Sequence, residues 1–134
     1  NIKKVGITGW SRGGAISLMA SEKRLRDALV SKDLYFAAAQ PRSPPCRDIG
    51  MFVNPQPIKE TKTWLVLGVA DNYTLPGPCV ELGEKYKANG ADIEITVKKG
   101  WHHGFTANYK PERDPQAQIW SKCAPHIQVM KDTL

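Results

Sequence analysis

Short apolar runs alternate with amphipathic stretches along the chain, and this alternation restricts the fold more than any other sequence feature. The pattern predicts strands and helices in turn: strands at 4–9, 34–39, 64–69 and 93–97, and helices at 13–31, 79–89 and 114–120. Strands separated by helices imply right-handed crossovers and a parallel sheet with helices on its faces. The sequence therefore predicts an α/β fold with a mostly parallel sheet of about four strands. Ligands of such sheets bind beyond the carboxyl ends of the strands.

The length and the remaining composition narrow the class of protein. The 134 residues fit a single domain over 1–134. No apolar run approaches the roughly 18 residues of a membrane helix, and the first residues lack the apolar core of a signal peptide, so no membrane partner is predicted. Five prolines between residues 40 and 62 predict a long irregular loop.

The net charge of +6 lies in the first half of the chain, where residues 1–67 carry 11 basic and 5 acidic side chains. A basic half suits a nucleic acid or an anionic substrate. The densest basic cluster, at 23–26, sits at helical spacing beside Glu22 and Asp27, without aromatic residues that would stack on bases. We interpret it as a solvated helix face and predict no nucleic-acid partner. The three cysteines and three histidines show no zinc-binding spacing, so neither a metal nor an organic cofactor is predicted.

The first predicted strand runs into the sequence Gly-Trp-Ser-Arg-Gly at residues 9–13. This G-x-S-x-G pattern, between a strand and a helix, is typical of the sharp turn that exposes a nucleophilic serine. Such a turn strains the central residue, and its neighbours two positions away must lack bulk, which Gly9 and Gly13 satisfy; Gly14 lets the helix approach the sheet. Ser11 is therefore the candidate nucleophile. The Arg12 N–H, at the start of the helix, is a candidate donor to an oxyanion.

A carboxylate and an imidazole follow two later strands. Asp71 follows the strand at 64–69, and on its own its more common role would be to cap a turn. His102 and His103 follow the strand at 93–97; since they point in different directions, only one can serve as base, and Gly104 leaves the ring of His103 free to move. A serine needs a base that titrates near neutrality and a carboxylate that orients it. The order Ser11, Asp71, His103 matches the chain order of the α/β-hydrolases.

These motifs resemble the C-terminal half of a dienelactone hydrolase-like α/β-hydrolase, over roughly residues 3–121. The resemblance rests on the elbow at 9–14, on Gly-Val-Ala-Asp-Asn-Tyr-Thr at 68–74, on His-Gly-Phe at 103–105 and on Lys-Ala-Asn-Gly-Ala at 87–91. It implies a partial α/β-hydrolase fold and a Ser11-His103-Asp71 triad that cleaves a small ester or lactone. Dienelactone hydrolases proper carry Cys where this chain has Ser11, which favours the broader esterase-like relatives.

The resemblance also implies strands before the elbow that this sequence does not contain. Those strands would supply a second oxyanion donor, for which these residues offer no candidate, and would pair with residues 3–8. We therefore expect either that this chain is a fragment or that a second copy or a partner chain covers the first strand. The alternative is a catalytically inactive or incomplete fragment that acts as a structural or binding domain.

Two further expectations concern aromatic residues and cysteines near the strand ends. We expect four aromatic residues to line an apolar substrate pocket: Trp10, Tyr73, Trp101 and Phe105. Cys46 and Cys79 fall at the same end of the predicted sheet, and some relatives that look exported carry cysteines in similar places. Two states remain open, a disulfide and two reduced buried thiols. A disulfide would indicate a periplasmic or secreted origin, and reduced thiols leave the cytoplasm open.

Overall fold

The computed structural model describes residues 4–47 and 53–106, which form four strands and three helices. In chain order the elements are β1 (Gly6–Trp10), α1 (Arg12–Met19), α2 (Lys23–Leu29), β2 (Ala38–Arg42), β3 (Lys62–Gly68), α3 (Pro76–Ala88) and β4 (Ile93–Lys98). All three strand pairs are parallel, and the sheet has the order β1-β2-β3-β4. The predicted α/β fold with a four-stranded parallel sheet is confirmed.

The helices α1 and α3 share one face of the sheet because each crossover advances by one strand in the same direction. α1 packs against β1 and β2, and α3 packs against β3 and β4. The buried cluster between them includes Leu18 of α1, Leu65 and Leu67 of β3, and Leu82 and Tyr86 of α3. This core holds the carboxyl ends of the strands in place.

The opposite face of the sheet is not covered by a helix of the described residues. Thr8, Trp64 and Glu94 are exposed there, and the Trp64 indole N–H donates to Thr96 Oγ1 at 2.9 Å. Parallel sheets are normally covered on both faces. The predicted helix at 114–120 lies outside the described residues. Within 4–47 and 53–106, no helix is both long and apolar enough to cross a membrane.

The helix predicted over 13–31 is wrong as one element, because the chain leaves the helix between α1 and α2. Glu22 forms an isolated antiparallel bridge with Pro57, and its side chain is fully buried. The carboxylate accepts hydrogen bonds from Arg24 Nε at 2.8 Å and from the Gln56 N–H at 2.9 Å. The segment around Gln56 and Pro57 thus packs against the turn between α1 and α2, and this contact interrupts the helix. The basic cluster at 23–26 lies on α2, where Arg24 and Arg26 form ion pairs with Glu22 and Asp27 rather than a wholly solvated face.

The second strand lies further along the chain than the predicted 34–39. Leu34 and Tyr35 are 59% and 48% exposed, whereas β2 begins at Ala38. β2 contains Pro41, and proline normally marks the end of a central strand because it has no N–H to donate. Because Pro41 indicates the end of a strand, the sequence pattern places β2 too early in the chain. β1, β3 and β4 differ from prediction by two residues or fewer at each end, and α3 begins three residues early, at Pro76.

Candidate active site

Ser11 occupies the single position between the end of β1 and the start of α1. Its backbone has φ 56° and ψ −120°, a positive-φ conformation that is strained for a residue with a side chain. A Cβ atom at Gly9 would lie 2.1 Å from the Gly13 carbonyl oxygen, and one at Gly14 would lie 2.6 Å from the Arg42 carbonyl oxygen. A Cβ atom at Gly13, by contrast, would meet nothing within 4 Å. The expectation that Gly13 must lack a side chain is therefore wrong on steric grounds, while Gly9 and Gly14 are required.

Three side chains from different strand ends meet at this turn. His103 Nε2 lies 3.0 Å from Ser11 Oγ, and His103 Nδ1 lies 2.9 Å from Asp71 Oδ2. Asp71 follows β3 and His103 follows β4, so the parallel sheet brings them to the same edge as Ser11. Of the tandem histidines, His103 is the one in this network. The geometry is that of a hydroxyl, a base and an orienting carboxylate in a continuous hydrogen-bonded chain.

The Asp71 carboxylate is 2% exposed and is held by backbone as well as side-chain donors. Its Oδ1 accepts hydrogen bonds from the N–H groups of Tyr73 at 3.0 Å and Thr74 at 2.8 Å. Burial by itself raises the pKa of Asp71, but the hydrogen bonds from His103 and from the Thr74 N–H outweigh that effect. The pKa of Asp71 therefore lies below its usual value, and the group is ionised at neutral pH.

The imidazole of His103 is flanked by two of the four predicted pocket residues. Its ring centroid lies 4.9 Å from that of Trp10 and 4.7 Å from that of Tyr73. The Trp10 indole N–H also donates a hydrogen bond to the His103 carbonyl oxygen. The other two, Trp101 and Phe105, stack on each other at 4.3 Å. Trp10 and Tyr73 thus contact the His103 ring itself, and the pocket role of all four stays a prediction.

Sequence reasoning missed two residues near the carboxylate, Thr74 and Ser43. Thr74 Oγ1 lies 2.9 Å from Asp71 Oδ2, 3.0 Å from His103 Nδ1 and 3.1 Å from the Ser43 carbonyl oxygen. Ser43 is buried and has φ 41°, and its own hydroxyl has no hydrogen-bond partner among the described residues. A threonine three residues after an aspartate is a common local turn pattern, and that spacing is the one signal that could have identified Thr74.

A disulfide lies close to this network. Cys46 and Cys79 are joined with an S–S distance of 2.01 Å and a Cα–Cα distance of 5.0 Å, and both are buried. Cys46 follows Ser43 after β2, and Cys79 lies in the first turn of α3, shortly after Thr74. The bond therefore ties the loop that carries Ser43 to the loop that carries Asp71.

The start of α1 offers the backbone donor expected at Arg12. The first N–H groups of a helix have no acceptor within the helix, and Arg12 is the first residue of α1, directly after Ser11. The Ser11 N–H is already used, since it donates to the Arg42 carbonyl oxygen at 2.9 Å. Within the described ranges, no group of three or more His, Cys, Asp or Glu residues is arranged to hold a metal ion.

Comparison with known proteins finds similar folds but identifies no family. No family model matches the chain, and no curated protein matches it. Solved structures do match. A truncated carbohydrate esterase from gut microbiota has a TM-score of 0.57 at 18% identity, over 78% of this chain and 54% of that one. Arabidopsis thaliana SOBER1 F65L has a TM-score of 0.54 at 22% identity, over 77% and 47%.

Esterase PE8 is a third match, with a TM-score of 0.51 at 16% identity, over 73% of this chain and 41% of that one. All three similarities are distant and concern the fold alone. The chain spans about half the length of these three proteins. Its α/β fold is thus similar to part of theirs, and Ser11, His103 and Asp71 are hydrogen-bonded at the carboxyl edge of its sheet.

Proposed function

We propose that this chain belongs to a serine hydrolase that cleaves small carboxylic esters or lactones. The observation that carries the proposal is the continuous hydrogen-bonded path from Ser11 Oγ through His103 to Asp71, with distances of 3.0 and 2.9 Å. The strained backbone of Ser11 supports it, because strain of this kind is retained at functional sites. The resemblance of the motifs to dienelactone hydrolase-like enzymes adds the substrate class, with Ser11 favouring their esterase-like relatives.

The reaction follows from the positions of these atoms. Ser11 Oγ attacks the carbonyl carbon while His103 Nε2 takes its proton, and the resulting oxyanion is stabilised by the Arg12 N–H. The intermediate collapses as Nε2–H gives that proton to the departing alkoxide, which leaves an acyl-serine. Water then attacks the acyl carbon while Nε2 takes its proton, and Nε2–H gives that proton to Ser11 Oγ as the acyl–oxygen bond breaks and the carboxylic acid leaves. Asp71 stays ionised throughout and stabilises the imidazolium.

The aromatic surroundings suit a small, partly apolar substrate. Trp10 and Tyr73 flank the imidazole, and we assign them to the walls beside the reacting carbonyl. The stacked pair of Trp101 and Phe105 lies on the loop that carries His103, and we assign it to the outer wall of the same pocket. A short acyl chain or a small lactone ring fits such a site.

We also propose that the outer edge of β1 is covered in the active protein by a second copy or a partner chain. Among the described residues β1 pairs with β2 alone, which leaves one side of the strand without hydrogen-bonded partners. Open strand edges attract further strands. Light scattering tests this: we expect a dimer or a larger complex, and a monodisperse, well-folded monomer would contradict the proposal.

Ester hydrolysis tests the proposed function directly. We expect the wild-type protein to hydrolyse p-nitrophenyl acetate and the Ser11→Ala variant to lose at least about 10³-fold in kcat. Ser31→Ala removes an exposed serine outside the network and should hydrolyse the ester like the wild type. Equal rates for wild type and Ser11→Ala would refute the proposal. A folded wild type without activity would favour a structural or binding role instead.

A further inference from the structure

We propose that Thr74 is a positioning residue, whose hydroxyl locks His103 in the tautomer with the proton on Nδ1. This inference rests on the proposed function, because that tautomer leaves Nε2 free to take the proton of Ser11. It rests on a triangle of three atoms. Asp71 Oδ2 lies 2.9 Å from both Thr74 Oγ1 and His103 Nδ1, and these two atoms lie 3.0 Å apart.

Two of the three atoms around the Thr74 hydroxyl can only accept a hydrogen bond. Asp71 Oδ2 and the Ser43 carbonyl oxygen, at 2.9 and 3.1 Å, can accept but cannot donate. The carboxylate is ionised and is the stronger acceptor, so the hydrogen points to Oδ2. A lone pair of Oγ1 then faces Nδ1, where it can accept a hydrogen but not supply one.

The imidazole must therefore supply the hydrogen at Nδ1. Nδ1–H donates to Asp71 Oδ2 and Thr74 Oγ1 together, as a three-centre hydrogen bond. The tautomer with a bare Nδ1 would set its lone pair against that of the carboxylate at 2.9 Å, and against the oxygen of a hydroxyl already committed elsewhere. A flip of the ring would break both contacts as well as the one between Nε2 and Ser11.

Thr74 is itself held rigidly enough to impose this geometry. It is 8% exposed, and its own N–H donates to the other carboxylate oxygen, Asp71 Oδ1, at 2.8 Å. The Ser43 carbonyl lies on its far side, in the loop that the disulfide of Cys46 and Cys79 ties to α3. The side chain is thus fixed from its backbone and from the neighbouring loop.

Substitution of Thr74 separates the hydroxyl from the rest of the side chain. Thr74→Val replaces the hydroxyl by a methyl group of similar shape, and Thr74→Ser keeps the hydroxyl and removes the methyl group. We expect kcat for p-nitrophenyl acetate to fall about 10- to 100-fold in Thr74→Val with KM changed less than about twofold, since one hydrogen bond to a charged pair is lost. Thr74→Ser should stay within about threefold of the wild type.

Nitrogen-15 NMR of labelled histidine gives a readout that does not depend on turnover. We expect the Nδ1 and Nε2 shifts of His103, assigned with His103→Gln, to report the Nδ1–H tautomer in the wild type and in Thr74→Ser. Thr74→Val should show more of the other tautomer and faster exchange of the Nδ1 proton with water. If Thr74→Val does not fold, Thr74→Ala removes the same hydroxyl without placing a methyl group against the carboxylate.

The two readouts distinguish failure of this inference from failure of the proposed function. A wild type that does not hydrolyse the ester refutes the proposed function, while the tautomer comparison still decides the role of Thr74. If a folded variant without the hydroxyl keeps the wild-type tautomer and the wild-type exchange of its Nδ1 proton, Thr74 is not a positioning residue.

Discussion

Substitution of Gly9 by alanine should damage the turn at Ser11 far more than the same substitution at Gly13. A Cβ atom at position 9 would lie 2.1 Å from the carbonyl oxygen and 2.2 Å from the carbonyl carbon of Gly13. Ordinary van der Waals contact begins at about 3.4 Å, so β1 and the start of α1 must separate by at least about 1.3 Å. The atoms in the way belong to the backbone and cannot rotate aside.

This separation acts on the residue that joins the two elements. Ser11 lies between β1 and α1, and its Oγ lies 3.0 Å from His103 Nε2. A displacement of about 1 Å at a reacting group costs on the order of 10²-fold in rate, and overpacking of this kind destabilises a protein by about 1–3 kcal/mol. Gly13→Ala is the matched control, because its Cβ atom meets nothing within 4 Å. In a helix, alanine is favoured over glycine by up to about 1 kcal/mol.

Thermal unfolding and the rate of reaction with a fluorophosphonate are the two assays. We expect Gly9→Ala to lower Tm and to slow modification of Ser11 about 100-fold. Gly13→Ala should leave Tm unchanged or raise it. The steric account of the turn is refuted if Gly9→Ala matches the wild type in both assays, or if Gly13→Ala is the more damaging of the two.

Three further predictions concern stability. Reduction of the Cys46–Cys79 disulfide, which closes a separation of 33 residues, should lower the free energy of unfolding by about 3–4 kcal/mol in denaturant titrations. Glu22→Ala should cost about 1–3 kcal/mol, because it leaves the buried Tyr86 hydroxyl without its acceptor, whereas Glu60→Ala, at an exposed position, should cost less than about 0.5 kcal/mol. The pKa of Asp71 is lower in the folded protein than in the unfolded chain, where it is about 3.9. Its ionised form therefore stabilises the fold above the unfolded-state pKa, and this stabilisation is lost as the pH falls through the folded-state pKa. The Tm difference between wild type and Asp71→Asn should therefore shrink below about pH 4.

Each of these has an outcome that contradicts it. Full reaction of Cys46 and Cys79 with a thiol reagent in the native protein, without reductant, would show that they are not bonded. Equal losses of unfolding free energy in Glu22→Ala and Glu60→Ala would mean that the contacts of the buried Glu22 carboxylate do not stabilise the fold. A Tm difference for Asp71→Asn that does not change between pH 7 and pH 3 would contradict the lowered pKa.

The location of the candidate site could be predicted from the sequence, because parallel strands place their carboxyl ends at one edge of the sheet, whatever lies between them in the chain. Ser11, Asp71 and His103 each follow a separate apolar run, so their place at one edge follows from the parallel sheet that the alternation of elements predicts. Their catalytic role stays a prediction. The stretches between the strands were harder to place, because their structure depends on contacts that no local pattern encodes.

Glu22 and Thr74 illustrate what local patterns leave out. Around Glu22 the helical periodicity continues, and the chain leaves the helix because a segment more than thirty residues later docks there. Thr74 has the sequence signature of an ordinary turn residue, and its contact with His103 exists only once β3 and β4 are side by side. Ser43 is similar, since the place of its carbonyl beside Thr74 depends on a strand that begins four residues later than the apolar run indicates.

Intact-protein mass spectrometry after incubation with a fluorophosphonate tests most directly whether Ser11 is an activated nucleophile. We expect one adduct on the wild-type protein, mapped to Ser11, and the same adduct at the same rate on Ser31→Ala. Ser11→Ala should gain no adduct, and His103→Ala should react at least about 100-fold more slowly, because the base is gone. A folded wild-type protein that gains no adduct, or a Ser11→Ala variant that is modified as fast as the wild type, would contradict the account.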